Sequence, residues 1–137
     1  MPLLLLIEPE RGFGAEAIVP TEKTQLFNGT NLAGFHTWLV DTKDRDPRRV
    51  FTVTNGMIHI SGNGLGYLST ERDYQNYRLV AEFKWGKTNW NWGNRISAAR
   101  DSGIFLHATG PDGNSYDGHG AFKSAIECNI FQGATGV

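Results

Sequence analysis

The chain has 137 residues, with 13 Lys and Arg against 14 Asp and Glu, four His and one Cys. This length suits one hydrophobic core and not two. A net charge of −1 without a basic cluster argues against binding to nucleic acid or to an anionic membrane surface. The single cysteine, Cys128, excludes an internal disulfide bond and a Cys/His zinc motif. We therefore expect one domain that is held together by packing.

Residues 1–20 precede the region with strand patterns. Their longest apolar run, residues 3–7, is far shorter than the roughly 20 residues that cross a membrane, so no membrane span is predicted. Ala15-Glu16-Ala17 has the form of a signal-peptide cleavage site, but the apolar region is short and Arg11 lies on its C-terminal side. Two interpretations stay open: a remnant export signal, which implies a secreted or periplasmic protein, and an ordinary tail.

The strongest local pattern within residues 21–137 is a β-hairpin. Alternating apolar residues flank Asn55-Gly56, a dipeptide that accepts the positive φ angles of a two-residue turn. The predicted pairs are Val53 with Ile58 and Phe51 with Ile60. This register places all four side chains on one face, which we expect to be part of the core.

Further strand patterns make the predicted fold all-β, with helices minor. The longest alternation covers residues 77–85 and predicts a central strand. Two more strands are predicted at 102–108 and 124–131. Short strands are predicted near residues 26–27, 38–40 and 67–70. Strands of this number with turns between them indicate a β-sandwich or jelly roll.

Ionisable residues on three predicted strands are the first candidates for chemistry. Glu82, His107 and Glu127 occupy the faces opposite the apolar residues, and a sandwich would place their strands close together. Two carboxylates and an imidazole on one concave face can divide the roles of general acid and general base. Structural alternatives stay open: Glu82 can pair with surface lysines and arginines, His107 can be a hydrogen-bonded structural histidine, and Glu127 can lie on the surface.

The loop at residues 86–101 carries side chains that suit a sugar ring. Trp90 and Trp92 can form a wall on which a pyranose stacks, and Arg95 can bond its hydroxyl groups. Core packing of at least one tryptophan is the alternative. Cys128 alternates with apolar residues and is expected in the core rather than as a nucleophile.

Acidic residues at 41–46 have a structural explanation. Asp41, Asp44 and Asp46 lack the spacing and the glycine of a calcium-binding loop, so we expect a turn there.

Five segments in order resemble the 3-keto-disaccharide hydrolase domain family. They are L-F-N-G-T-N-L-A-G-F at 26–35, the Asn55-Gly56 hairpin, Y-Q-N-Y-R-L at 74–79 continuing through E-F-K-W at 82–85, R-D-S-G-I at 100–104, and G-H-G at 118–120 with S-A-I-E-C-N-I at 124–130 and Q-G-A-T-G at 132–136. The resemblance covers about residues 21–136. It implies a concanavalin-like or LamG-like jelly-roll β-sandwich that acts on small oxidised sugars, in proteins that bacteria generally export.

The resemblance also implies a division of catalytic roles. A ketone at C3 of a glycoside acidifies the hydrogen at C2, so the reaction needs a base, a group that polarises the ketone, and an acid for the leaving oxygen. Glu127 and His107 are the candidates for base and acid, and Arg100 or a divalent metal for the polarising group. His119 and Glu82 are second-rank candidates, as a metal ligand or an orienting group. The candidates for substrate binding are Arg100, Asp101, Trp92, Arg95, His119 and Asn129. No cofactor is evident.

One departure from the family pattern concerns the C-terminus. Family members usually have Asp after the Thr-Gly that corresponds to Thr135-Gly136, followed by several more strands, whereas this sequence ends at Val137. We therefore expect residues 21–137 to be the N-terminal portion of the sandwich, incomplete at its C-terminus. A non-catalytic, lectin-like sugar-binding module is the alternative function, because this fold does not determine activity. The sequence does not indicate the oligomeric state.

Overall fold

The computed structural model describes residues 16–87, 89 and 96–133, and this part of the chain contains strands and no helices. The strands are β1 Phe35–Leu39, β2 Phe51–Thr54, β3 Met57–Ile60, β4 Gly66–Thr70, β5 Asp101–Thr109 and β6 Ser124–Phe131. They form three antiparallel pairs, β1 with β4, β2 with β3, and β5 with β6. The predicted all-β class is confirmed. The described residues include no helix that could span a membrane.

The first hairpin has the predicted turn and register. Asn55 and Gly56 have φ angles of 53° and 71°, and β2 pairs with β3 so that Phe51 lies opposite Ile60 and Val53 opposite Ile58. The face is only partly core, because Phe51 is 7% exposed whereas Ile60 is 56% exposed. Turn chemistry therefore determines the pairing, while burial depends on what packs against the hairpin.

The small core lies against one face of the β1–β4 pair. Leu39 and Val50 are fully buried and pack with Phe51, and partly buried Leu32 and Leu68 pack against them. Because side chains alternate along a strand, the opposite face of β1 and β4 carries other residues. They are His36, Trp38, Tyr67 and Ser69. The loop between β5 and β6 reaches this second face, where the Trp38 indole N–H donates to the carbonyl oxygen of Gly120 at 3.1 Å.

The second hairpin, β5–β6, has two chemically different faces. Ile104 lies opposite Cys128 and Leu106 opposite Ile126 on the apolar face, as predicted. Cys128 is nevertheless exposed, and Ile126 is 65% exposed. The prediction that Cys128 lies in the core is therefore wrong. Alternation assigns a face, but burial requires a second layer over it, and no described residue covers that part of the hairpin.

Two predicted strands are absent from the described structure. Residues 77–85 form no strand, and the side chains of Leu79, Val80 and Phe83 are 40%, 73% and 53% exposed. A strand needs a partner for its backbone N–H and C=O groups, and among the described residues none pairs with this segment. Residues 26–27 are also not a strand. There, the Asn28 side-chain oxygen accepts the backbone N–H groups of Thr30 and Asn31 and forms a turn.

The acidic segment at 41–46 has a structural role. The Asp41 carboxylate accepts two hydrogen bonds from Arg48, at 2.7 and 2.9 Å, and these bonds lower the pKa of Asp41 to about 2. Asp46 accepts the backbone N–H groups of Val50 and Phe51. Both carboxylates therefore hold the chain where it enters β2.

Candidate functional site

Glu127 lies on the polar face of the β5–β6 hairpin, directly opposite Phe105. The neighbouring residue of β5 on the same face is Gly103, and the Glu127 side chain lies over it. A Cβ atom placed on Gly103 would overlap the Glu127 carboxyl group. Glycine at this position therefore gives the carboxyl group the space in which it rests.

The surroundings of Glu127 favour its protonated form. Although the residue as a whole is exposed, contact with Gly103 removes part of the water around the carboxyl group. Desolvation by burial is the main cause that raises the pKa of Glu127, and the negative charge of Asp101 on the same face raises it further. A carboxyl group with a raised pKa keeps its proton to higher pH than an ordinary one, which suits it to proton transfer.

Asn129 extends this face toward the base of the hairpin, where it lies opposite Gly103. Its side-chain oxygen is buried and has no hydrogen-bond partner among the described residues. A buried acceptor without a donor costs free energy, so this oxygen is an unusual feature of the hairpin face. Asp101, Glu127 and Asn129 are therefore three predicted site residues that the structure places on one face.

Arg100 precedes β5 and contacts an aromatic side chain. Its Nε donates to the Gln132 side-chain oxygen at 3.2 Å, and one Nη donates to the Gly86 carbonyl oxygen. The guanidinium carbon lies 5.8 Å from the centre of a Trp85 ring, within the range of a cation–π contact. These contacts hold the guanidinium group in place and leave its other N–H groups available as donors.

Trp85 was not among the predicted site residues, whereas Trp92 was. Trp85 stands at the end of the alternation in residues 77–85, and its ring meets Phe83 edge to face at 5.8 Å. Trp92 and Arg95 lie outside the described residues, as does Trp90. Their predicted contact with a sugar therefore stays a prediction.

The other predicted catalytic residues are placed differently from Glu127. His107 is exposed, with a φ of 53°, in the irregularity that interrupts the pairing between Leu106 and Thr109. This bulge breaks the simple alternation that assigned His107 to the face of Glu127. Glu82 is exposed and lies outside any strand. Convergence of these three residues stays a prediction.

His119 lies in the loop between β5 and β6. Its side chain is 78% exposed, and its Nδ1 is 3.8 Å from an Asp117 carboxylate oxygen. The described residues do not bring together three His, Cys, Asp or Glu side chains in a metal-binding arrangement. The divalent metal as polarising group stays a prediction.

A second polar cluster, centred on Asp112, was missed by the sequence analysis. Asp112 lies in the β5–β6 loop, and its carboxylate is 2.9 Å from His36 Nε2 and accepts the Tyr67 hydroxyl group. Lys123 Nζ lies 3.7 Å from the same carboxylate. His36 and Trp38 are two residues apart in β1, and Tyr67 and Ser69 are two apart in β4, so each pair lies on one face of its strand. This spacing could have revealed a polar strand face. Nothing local in the sequence connects that face with Asp112.

The Asp112 cluster has the opposite electrostatic character to Glu127. Desolvation by burial raises the pKa of Asp112, but hydrogen bonds from Tyr67 and His36, with the charges of His36 and Lys123, together lower it below its usual range. Desolvation and the hydrogen bond to Asp112 raise the pKa of Tyr67. The hydroxyl group of Tyr67 therefore stays protonated and acts as a donor.

The structure thus defines an all-β protein with a carboxyl group of raised pKa, a buried amide oxygen that has no partner among the described residues, and an arginine around one hairpin. Residues 22–136 match the family described as a 3-keto-alpha-glucoside-1,2-lyase-like domain, and the chain belongs to this family. The family suspected from the five segments is confirmed. No curated protein and no solved structure gives a match.

Proposed function

We propose that this protein is a carbohydrate-active hydrolase or lyase that cleaves 3-keto-glycosides or 3-keto-disaccharides. The observation that carries the proposal is the Glu127 carboxyl group, which lies over Gly103 beside Asp101 and has a raised pKa. Membership of the 3-keto-alpha-glucoside-1,2-lyase-like family supports the substrate class. A concanavalin-like jelly-roll fold and a secreted or periplasmic location are parts of the same proposal.

The chemistry uses the acidity that a ketone gives to its neighbouring carbon. A base removes the proton at C2, and the C2–H electron pair forms the C1–C2 double bond as the C1–O bond breaks. The leaving oxygen takes a proton from an acid. Addition of water across the double bond, with hydroxide at C1 and a proton at C2, completes hydrolysis. The lyase reaction stops before this addition.

The residues of this chain can supply each of these roles. We assign the proton transfers at C2 and at the leaving oxygen to Glu127 and His107. Arg100, whose other N–H groups are available, donates to the C3 carbonyl oxygen. Asp101 and Asn129, which lie on the same face of the hairpin as Glu127, bind sugar hydroxyl groups. Trp92, Arg95 and His119 are further substrate contacts in this proposal, and Glu82 is an orienting group.

The direct test replaces the Glu127 carboxyl group by an amide. Glu127→Gln keeps the shape of the side chain but cannot transfer the proton, so turnover of p-nitrophenyl 3-keto-glucoside should fall by about 10²- to 10⁴-fold. Release of p-nitrophenol measures the rate. Glu22→Gln, a change at an exposed acid outside the strands, is the matched control and should leave turnover unchanged. Full activity in folded Glu127→Gln would refute the assignment.

A non-catalytic sugar-binding module is the alternative, and the contact between Arg100 and Trp85 favours it because aromatic and guanidinium groups also bind unreacted sugars. Such a module would bind the unoxidised glycoside, and its affinity would survive Glu127→Gln. The enzyme would instead convert only the oxidised sugar. Comparing turnover of the 3-keto-glucoside with binding of the parent glucoside separates the two functions.

A further inference from the structure

The segment at residues 77–85 has the sequence pattern of a strand but no strand partner. Its backbone N–H and C=O groups make no hydrogen bond to any described residue. The side chains of Tyr77, Leu79, Val80 and Phe83 are 37%, 40%, 73% and 53% exposed. A row of unpaired backbone groups beside exposed apolar side chains is a template on which another strand can form.

Both ends of this segment are held in place. At the N-terminal end, the backbone N–H of Gln75 donates to the Ile18 carbonyl oxygen at 2.9 Å. At the C-terminal end, Arg100 donates to the Gly86 carbonyl oxygen and lies over the Trp85 ring. No residue between these anchors, apart from the one directly after Gln75, has a positive φ angle. The backbone of the segment can therefore adopt strand torsion angles without strain.

The charges of the segment match a second copy of the same segment. When two identical strands pair antiparallel, the residue on their two-fold axis determines every opposite pair. With Val80 on the axis, Arg78 lies opposite Glu82 of the other copy, and the symmetry forms the same ion pair twice. Opposite charges in directly opposite positions stabilise a pair of strands.

The apolar side chains favour the same register. It places Tyr77 opposite Phe83, so two aromatic pairs form on one face of the ribbon. Moving the axis by one residue to Ala81 would place Arg78 opposite Lys84 instead. Like charges in directly opposite positions destabilise a sheet, so the register about Val80 is preferred.

We propose that two copies of this chain associate by antiparallel pairing of residues 77–83, with Val80 on the two-fold axis. The pairing satisfies backbone groups that have no partner among the described residues, forms two ion pairs and covers part of the exposed apolar surface. A two-stranded ribbon is only marginally stable in water, so we expect a weak dimer with a dissociation constant of about 0.1 mM. The proposal is independent of the catalytic one.

Sedimentation velocity of the full chain over about 10 μM to 1 mM measures the association. Arg78→Glu and Glu82→Arg each place like charges opposite each other, so each variant alone should raise the dissociation constant by about tenfold. An equal mixture of the two variants has complementary charges and should form a heterodimer with about the wild-type dissociation constant.

Lys84→Glu is the matched control, because residue 84 lies opposite the uncharged Asn76 in the proposed register. This variant should change the dissociation constant by less than about twofold. Tighter association of Lys84→Glu would instead indicate an axis at Ala81 and would refute the register about Val80.

Three further outcomes would overturn the proposal. A chain that stays monomeric up to about 1 mM would show that the segment does not pair with a second copy. Association that neither charge variant weakens would place the interface elsewhere. Weakening in both variants without recovery in their mixture would refute the pairing of Arg78 with Glu82. Far-UV circular dichroism of each variant checks that the fold is retained.

Discussion

Asp112 and Glu127, the carboxyl groups of the two polar regions, differ in the hydrogen bonds that their neighbours donate to them. Asp112 accepts hydrogen bonds from Tyr67 and His36, and its pKa is lowered. Glu127 accepts no hydrogen bond from a described residue, loses water to its contact with Gly103, and has a raised pKa. A carboxylate that its own protein saturates with donors stabilises the fold. One that lacks donors is available for proton transfer.

Removing the Asp112 carboxylate, which accepts two hydrogen bonds, should have the largest effect on the free energy of unfolding. Asp112→Ala leaves the Tyr67 hydroxyl group without its acceptor, and Tyr67 is only 8% exposed. After allowance for the partial exposure of Asp112, we expect the free energy of unfolding to fall by about 2 kcal/mol in urea titration. Asp117→Ala, in the same loop but at an exposed acid with local bonds, is the control and should cost less. Equal losses would show that the Asp112 cluster does not stabilise the fold.

The pH dependence of Asp112→Ala sharpens this prediction. Because the pKa of Asp112 is lower in the folded protein, its stabilising contribution is present above the unfolded-state pKa and is lost as pH falls through the folded-state pKa. The difference in stability between the wild type and Asp112→Ala should therefore shrink in acid. Urea titrations at neutral and at acidic pH measure it. A difference that grows in acid would contradict the sign.

A change next to Glu127, whose carboxyl group accepts no hydrogen bond from a described residue, should affect activity instead. In Gly103→Ala, the new methyl group would occupy the space of the Glu127 carboxyl group. Glu127 has a flexible side chain and can move aside, so stability should change little while kcat/KM for the 3-keto-glucoside falls by about tenfold. Ser102→Ala is the matched control, since this exposed neighbour of Gly103 lies on the opposite face of β5. Unchanged kinetics in Gly103→Ala would remove the positioning role of the glycine.

The sequence predicted what local chemistry determines. Asn55-Gly56 fixed the first hairpin to the correct register, and alternation placed Glu127 and Asn129 on one face of the second. The errors at residues 77–85 and at Cys128 have a common cause, because pairing and burial depend on partners that are distant in the chain. The Asp112 cluster was missed for the same reason, since it joins residues 45 and 76 positions apart.

The smallest expected effect is a gain in stability when Glu127 loses its charge. Folding raises the pKa of Glu127, so its carboxyl group ionises less readily in the folded protein than in the unfolded chain. The protein therefore has its full stability below the unfolded-state pKa and loses part of it as pH rises through the folded-state pKa. Glu127→Gln avoids this ionisation and should be more stable than the wild type at neutral pH by about 0.5 kcal/mol, a value kept small by solvent screening.

The gain should vanish in acid, where the wild-type carboxyl group is protonated as well. Melting temperatures across a pH series measure the difference, and Glu22→Gln, a change at an exposed acid outside the strands, should show no such gain. A Glu127→Gln variant that is less stable at neutral pH would mean that the carboxylate is held by donors, as Asp112 is, and the contrast between the clusters would fail. A variant that is more stable but inactive would indicate that the hairpin face gives up stability to keep a protonatable group where a substrate can reach it.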